Sequence, residues 1–256
     1  MKEKWEEKRI FIVVKTYPTP STKYTEVVCT AGVTDDGDWI RLYPVQFRDL
    51  PYERQYRKYS WIKANVTRRT EDPRIESYRP DPESIVILGD VDTSEGWRQR
   101  KAVILPLTKE SLEEIAILNE THRVSLGIFK PKEVTSFYIK PDEAEWSPKQ
   151  KAILNQMRLF DTRHKNVLEK IPYSFHYQFT CSDPKCRGHD LTIIDWEVAQ
   201  SFRSWRHKYD RESLLKKLEE KWLHQVFAPS RDSYFIVGTH HQFQTFLILG
   251  VFWPPK

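Results

Sequence analysis

YTEVVCTAGVTDDGDWIRLYPV, residues 24–45, sets an aspartate-glycine turn between two runs of β-branched and aromatic residues. Asp36-Gly37 is a strong hairpin signal, because the short turn needs positive φ and glycine supplies it at little steric cost. The two runs should pair antiparallel. RIFIVVKTYP (9–18) precedes them, and SWIKANVTRR (60–69), ESIVILGDV (83–91) and KAVILPL (101–107) follow as further candidate strands. Five or six short strands therefore come before any convincing helix. A small barrel or curled antiparallel sheet is the natural closure, since it removes exposed edges.

Helical signals begin later. TKESLEEIAILNETHR (108–123) offers Thr108 or Ser111 as a cap and repeats Leu112, Ile115 and Leu118 on one face. SPKQKAILNQMRLF (147–160) places Ser147 at the N-cap and Pro148 at N1. YSFHYQFT (173–180) alternates as a half-buried strand, and Leu191, Ile194, Val198, Phe202 and Trp205 are spaced as on a helix. A second helix is expected at 211–227 and a last hairpin at 232–255. The expected fold class is α+β. A β-rich unit (1–145) with one helix precedes a mixed α/β unit (146–256) that carries a zinc-binding loop between a strand and a helix, with the boundary at the acidic, proline-bearing KPDEAEWSP.

The 256 residues suffice to bury a core without disulfide staples. The apolar run near the amino terminus, IFIVV, is too short for a signal-peptide core, and no window approaches a membrane span. A cytoplasmic protein is expected. In that compartment thiols stay reduced, and closely spaced cysteines read as metal ligands.

FTCSDPKCRGHDL (179–191) has that spacing, with Cys181, Cys186 and His189 in a C-x4-C-x2-H arrangement. Pro184 tightens the loop and Gly188 lets the chain turn, so two sulfurs and an imidazole can converge on Zn²⁺. Asp190 is expected to cap a helix that starts at once. No fourth ligand is visible nearby. Cys29 lies in a remote strand, His176 falls on the opposite face, and the histidines at 164, 207, 224, 240 and 241 depend on the fold. Four protein ligands would make the ion structural, and three plus water would make it catalytic. A clasp joining strand to helix favours the structural role. Asp195 and Glu197, with Asp190, suggest a zinc or magnesium hydrolase or nuclease, but i and i+2 on a helix diverge by roughly 200°. An acidic first turn accounts for them better. His240 and His241 read as ordinary loop residues.

Net charge is +5, distributed unevenly: +5 over residues 1–70, −6 over 71–147 and +6 over 148–256. Cations and aromatics interleave most densely from Ile40 to Lys63. Such a mixture suits DNA or RNA, since Lys and Arg contact phosphates and aromatic faces stack on unpaired bases. Arg41, Arg48, Arg54, Arg57, Lys58, Arg68 and Arg69, extended by Lys185 and Arg187, are the expected phosphate contacts. Tyr43, Tyr56 and Trp61 are the expected stackers. No phosphate loop, dinucleotide fingerprint or G-x-S-x-G elbow occurs, and nothing near Cys29 in sequence would activate it as a nucleophile. The leading expectation is a zinc-binding, nucleic-acid-binding protein. A metal-dependent hydrolase and a protein-interaction module are the alternatives.

Overall fold

The computed structural model describes residues 3–158, 167–240 and 245–256, with main chain only at 156–158. The first sheet contains β1 (Trp5–Lys15), β2 (Thr19–Ser21), β3 (Thr25–Thr34), β4 (Trp39–Val45), β5 (Ser60–Arg68), β6 (Ser77–Pro80) and β7 (Val86–Asp90). The Asp36-Gly37 turn joins β3 to β4, with Gly37 at φ 85° and the Thr34 amide donating to the Asp38 carbonyl at 2.9 Å. Strands run in the order β1-β3-β4-β6-β5, and β5 returns to pair with β1, which closes a five-stranded barrel. Gly32 lets β3 lie close on β1: a Cβ there would lie 2.5 Å from the Phe11 carbonyl oxygen.

β1 explains its continuous apolar run. Ile10 and Ile12 point into the barrel with Leu42, Ile62 and Val66, while Phe11 and Val13 point outward into a second cluster with Ile128, Ile236, Leu249 and Phe252. Both faces of the strand are buried.

Those outer partners belong to the second sheet. After α1 (Ser94–Ile104), the chain forms β8 (Thr108–Lys109), α2 (Leu112–His122), β9 (Leu126–Phe129), β10 (Glu133–Pro141), α3 (Pro148–Arg158), β11 (Tyr173–Thr180), β12 (His189–Ile193), α4 (Trp196–Trp205), α5 (Arg211–Glu219), β13 (Tyr234–Thr239) and β14 (Phe246–Phe252). The sheet order is β10-β11-β12-β14-β13-β9-β8. One face packs on the barrel wall. The other buries Phe175, Tyr177, Phe179, Phe235 and Val237 against Ile115 of α2, Val198 and Phe202 of α4, and Leu214 and Leu218 of α5. The architecture is α+β in three layers: barrel, sheet and helices.

Two expectations change. KAVILPL is not a strand: Lys101–Ile104 end α1, and Ile104 is fully buried between the layers. The segment after His189 is also not a helix. His189–Ile193 pairs with β11, and Asp195, not Asp190, caps α4 by accepting from the Glu197 amide at 2.9 Å. The cysteine-bearing loop therefore joins two antiparallel strands. Val198 and Phe202 are helical as their spacing predicts, but Leu191 lies in a strand that continues the period by coincidence. Among the described residues no helix is long and apolar enough to cross a membrane.

Candidate functional site

Cys181 lies just beyond the end of β11, Cys186 in the turn and His189 at the start of β12. The turn is held by Asp183, whose carbonyl accepts from the Cys186 amide at 3.0 Å and whose carboxylate accepts from the Lys185 amide at 2.7 Å. Gly188 sits at φ 92°, a region costly for other residues. This geometry brings His189 Nε2 to 3.4 Å from Cys181 Sγ and 3.3 Å from Cys186 Sγ. The amides of Cys181 and Gly188 both donate to Cys186 Sγ at 3.4 Å, which fixes the sulfur's position.

A fourth donor arrives from α2. Glu113 Oε2 lies 2.5 Å from Cys181 Sγ and Oε1 lies 3.0 Å from His189 Nε2. One ligand atom from each of Glu113, Cys181, Cys186 and His189 falls within 4.8 Å of all the others, so the group could hold a metal ion. Burial pushes the Cys181 thiol up to about 12, helped by its hydrogen bond to Glu113. Burial also acts to raise Glu113, but the hydrogen bond from Cys181 and the adjacent His189 hold its carboxyl below the usual range. An ion bound there would displace the Cys181 thiol proton that this hydrogen bond engages.

The other proposed ligands lie elsewhere. His176 stacks on Tyr138 at 4.8 Å on the opposite face, and Cys29 lies between barrel and sheet. His164 and His241 lie outside the described residues. Asp190 accepts from Tyr138 at 2.8 Å and from Gln178 at 3.2 Å, and Glu197 binds Lys58 at 2.8 Å. Glu113 was not legible as a ligand, because an acid in the first turn of a helix already has a local explanation in the helix dipole.

The residues expected on a nucleic-acid surface do not share one environment. Arg41 is 2% exposed, donating to Cys29 Sγ at 3.2 Å and Ser125 Oγ at 3.0 Å. Tyr56 is fully buried and bonded to Thr30, and Lys58 reaches Asp195 at 3.2 Å across the two sheets. These three are corrected to interior positions, because each finds a buried partner distant in sequence. Arg48 pairs with Glu26, Arg54 with Glu83 and Arg69 with Glu71, while Arg68 donates to the carbonyls of Arg74 and Ser77. Trp61 is half-buried against Phe11, and Tyr43 lies under the Arg69 guanidinium. Arg57, Lys185 and Arg187 are exposed.

Arg41 belongs to a buried network that joins the layers. Glu76 accepts from the Ser125 amide at 2.7 Å and hydroxyl at 2.5 Å, and Arg74 donates to the Thr239 carbonyl at 2.9 Å. Asp72 receives Arg74 at 2.7 Å and Ser77 at 2.7 Å, bonds that outweigh burial and hold its carboxyl well below the usual range.

No curated protein matches the chain. Residues 6–106, which contain the barrel, match a family model described as Domain of unknown function (DUF8758). Residues 107–256, with the second sheet and all four donors, match the model described as Domain of unknown function (DUF8757). That second match spans more than half of the chain, and the chain belongs to that family.

Proposed function

We propose that this chain is a zinc-binding protein whose ion is structural, and that the scaffold it stabilises binds nucleic acid. The observation that carries the metal reading is the fourth donor, Glu113, which converges with Cys181, Cys186 and His189 from a separate element. Two sulfurs, an imidazole and a carboxylate suit zinc, with bonds of ~2.3 Å to sulfur and ~2.0 Å to nitrogen or oxygen. Four protein donors fill a tetrahedral ion and leave no position for a reacting water. The acids a hydrolase would use as base are also engaged elsewhere, Asp190 by Tyr138 and Glu197 by Lys58. Metal analysis of protein purified without added metal should return one zinc per chain. Cobalt substitution should give a tetrahedral visible spectrum that azide does not change; an azide-induced shift would mean an open coordination position and return the ion to catalysis.

The nucleic-acid reading rests on the net positive charge and the exposed Arg57, Lys185 and Arg187. A fluorescent single strand titrated across salt should show log affinity falling with log salt, and Lys185→Glu/Arg187→Glu should flatten the slope by roughly 0.7 per lost phosphate contact. Affinity independent of salt would remove phosphate contacts from the account.

A further inference from the structure

A cavity of about 500 Å³ opens where the barrel wall faces the second sheet. It is within the range of roughly 300–1,000 Å³ that small-molecule sites occupy. Tyr17 and Tyr43 line it from the barrel side, and Trp146 and Tyr173 from the other. All four rings are half-buried, so each keeps accessible surface. Two of the polar ends are already fixed: the Tyr17 hydroxyl donates to the Glu169 carbonyl at 2.8 Å and Trp146 Nε1 to the Leu168 carbonyl at 2.9 Å. The Arg69 guanidinium stands 5.2 Å from the centre of the Tyr43 ring and backs it.

Charged groups also reach the cavity: Asp142 and Lys170, paired with each other at 3.0 Å at its more open side, and three buried ones. Arg41, Arg74 and Asp195 line it at 2%, 8% and 2% exposure. Arg41 Nε has no hydrogen-bond partner, although its other nitrogens are engaged. Gly238 preserves this wall, because a Cβ there would stand 2.9 Å from the Arg41 guanidinium. The positive charges of Arg41 and Arg74 are matched nearby by Asp72 and Glu76, so the cavity does not demand an anion. Aromatic rings on both sides with fixed donors and acceptors between them suit a flat, uncharged heterocycle with hydrogen-bonding edges. A lipid tail would offer the polar groups of this lining no hydrogen bond.

We infer that this cavity binds a nucleobase, carried by a free nucleotide or turned out of a single strand. The second source rests on the nucleic-acid reading above; the first does not. Cys29 supplies an internal reporter. It lines the cavity and is partly exposed, whereas Cys181 and Cys186 sit in the metal cluster.

The test alkylates zinc-loaded protein with iodoacetamide, with and without adenosine or uridine monophosphate or a short single strand, and follows Cys29 by mass spectrometry while calorimetry measures binding. A saturating ligand should slow Cys29 alkylation at least tenfold. Tyr43→Ala and Trp146→Ala should each weaken binding by roughly fivefold to a hundredfold, the loss expected for one stacked base. Tyr43→Phe should retain it, which separates stacking from damage to the fold. The exposed Tyr52→Ala should change nothing. Mononucleotides that bind and protect Cys29 while strands do not would uphold the cavity and remove the nucleic-acid reading. Strands that bind with Cys29 alkylation unchanged would overturn the cavity and keep that reading. Absence of binding by every nucleotide and strand to folded protein overturns the proposal.

Discussion

Cys186→Ser should lower the thermal midpoint by about 10 °C or more, and chelation of the unmodified protein should reach the same midpoint. The donors span two elements, with Glu113 on α2 and the other three on the β11–β12 turn, 68 residues away from Glu113 at Cys181. An ion there would tie the helix start to the sheet, so its binding energy would be folding energy for that face. Structural zinc contributes ~10–16 kcal/mol where a small domain folds around it. Here buried aromatics, including Phe175, Tyr177, Phe179 and Phe235, also stabilise that face, so only part of that energy should be lost. A loss of about 4 kcal/mol in a chain of this size corresponds to roughly 8–16 °C. Glu113→Gln should cost less, because a neutral amide still reaches the cluster but ligates weakly. The change should be local: protease sensitivity should rise first around the 181–189 turn and the start of α2. A midpoint unmoved by chelation would mean that the four donors are satisfied by their own hydrogen bonds.

Three of the four donors were readable because they lie within nine positions of one another, and the fourth was not. The same division runs through the fold. The Asp36-Gly37 hairpin, the alternation of β11 and the cap of α2 are all set by neighbouring residues; the first two formed as read, and of the two caps the sequence offers, Thr108 and Ser111, the helix uses Ser111, which accepts from the Glu114 amide at 3.1 Å. The fates of the cations were set by distance. Arg48 finds Glu26 22 positions away, Arg54 finds Glu83 29 away, and Lys58 finds Asp195 137 away. A basic, aromatic stretch looks the same in sequence whether its charges face water or meet carboxylates from another layer. β12 was misread for a related reason. Five residues with two β-branched side chains can satisfy a helical period at their apolar positions, and only pairing with β11 decides the matter. Arg41 gave a subtler signal. It alternates with Ile40 and Leu42, which point into the barrel, and this placed it on the outer wall where the second sheet covers it.

Lys58→Met should cost about 3–5 kcal/mol at pH 7.5, and markedly less at pH 5. Lys58 Nζ sits between Asp195 at 3.2 Å and Glu197 at 2.8 Å, with its own side chain 8% exposed and that of Asp195 1% exposed. Glu197 is about half exposed and can turn to water, so little of the cost belongs to it. Asp195 cannot. Gly250 packs against it so closely that a Cβ there would lie 2.9 Å from Oδ2. Removing the lysine strands a carboxylate in the interior, and that loss, more than the missing attraction, sets the size of the effect. Burial already pushes the Asp195 carboxyl up to about 6 with Glu197 adding to it, despite the lysine beside it. A folded-state value above the ordinary ~3.9 means that the folded protein holds the proton more tightly than the unfolded chain. The stability from that proton is therefore complete below about pH 4 and is lost as pH rises through about 6. Without Lys58 the value climbs further, so the variant keeps losing stability above pH 6, where the native protein has levelled off. Burial works against the Lys58 ammonium, but the two carboxylates outweigh it and hold its value well above the usual lysine range, so its own contribution persists through neutral pH. Denaturant unfolding at the two pH values measures the difference. Lys58→Met/Asp195→Asn should recover much of the loss at pH 7.5, because the amide can still accept from the Glu197 amide and carries no charge to strand. An equal penalty at both pH values, with no recovery in the double variant, would show that Lys58 acts through packing of its stem and not through its charge.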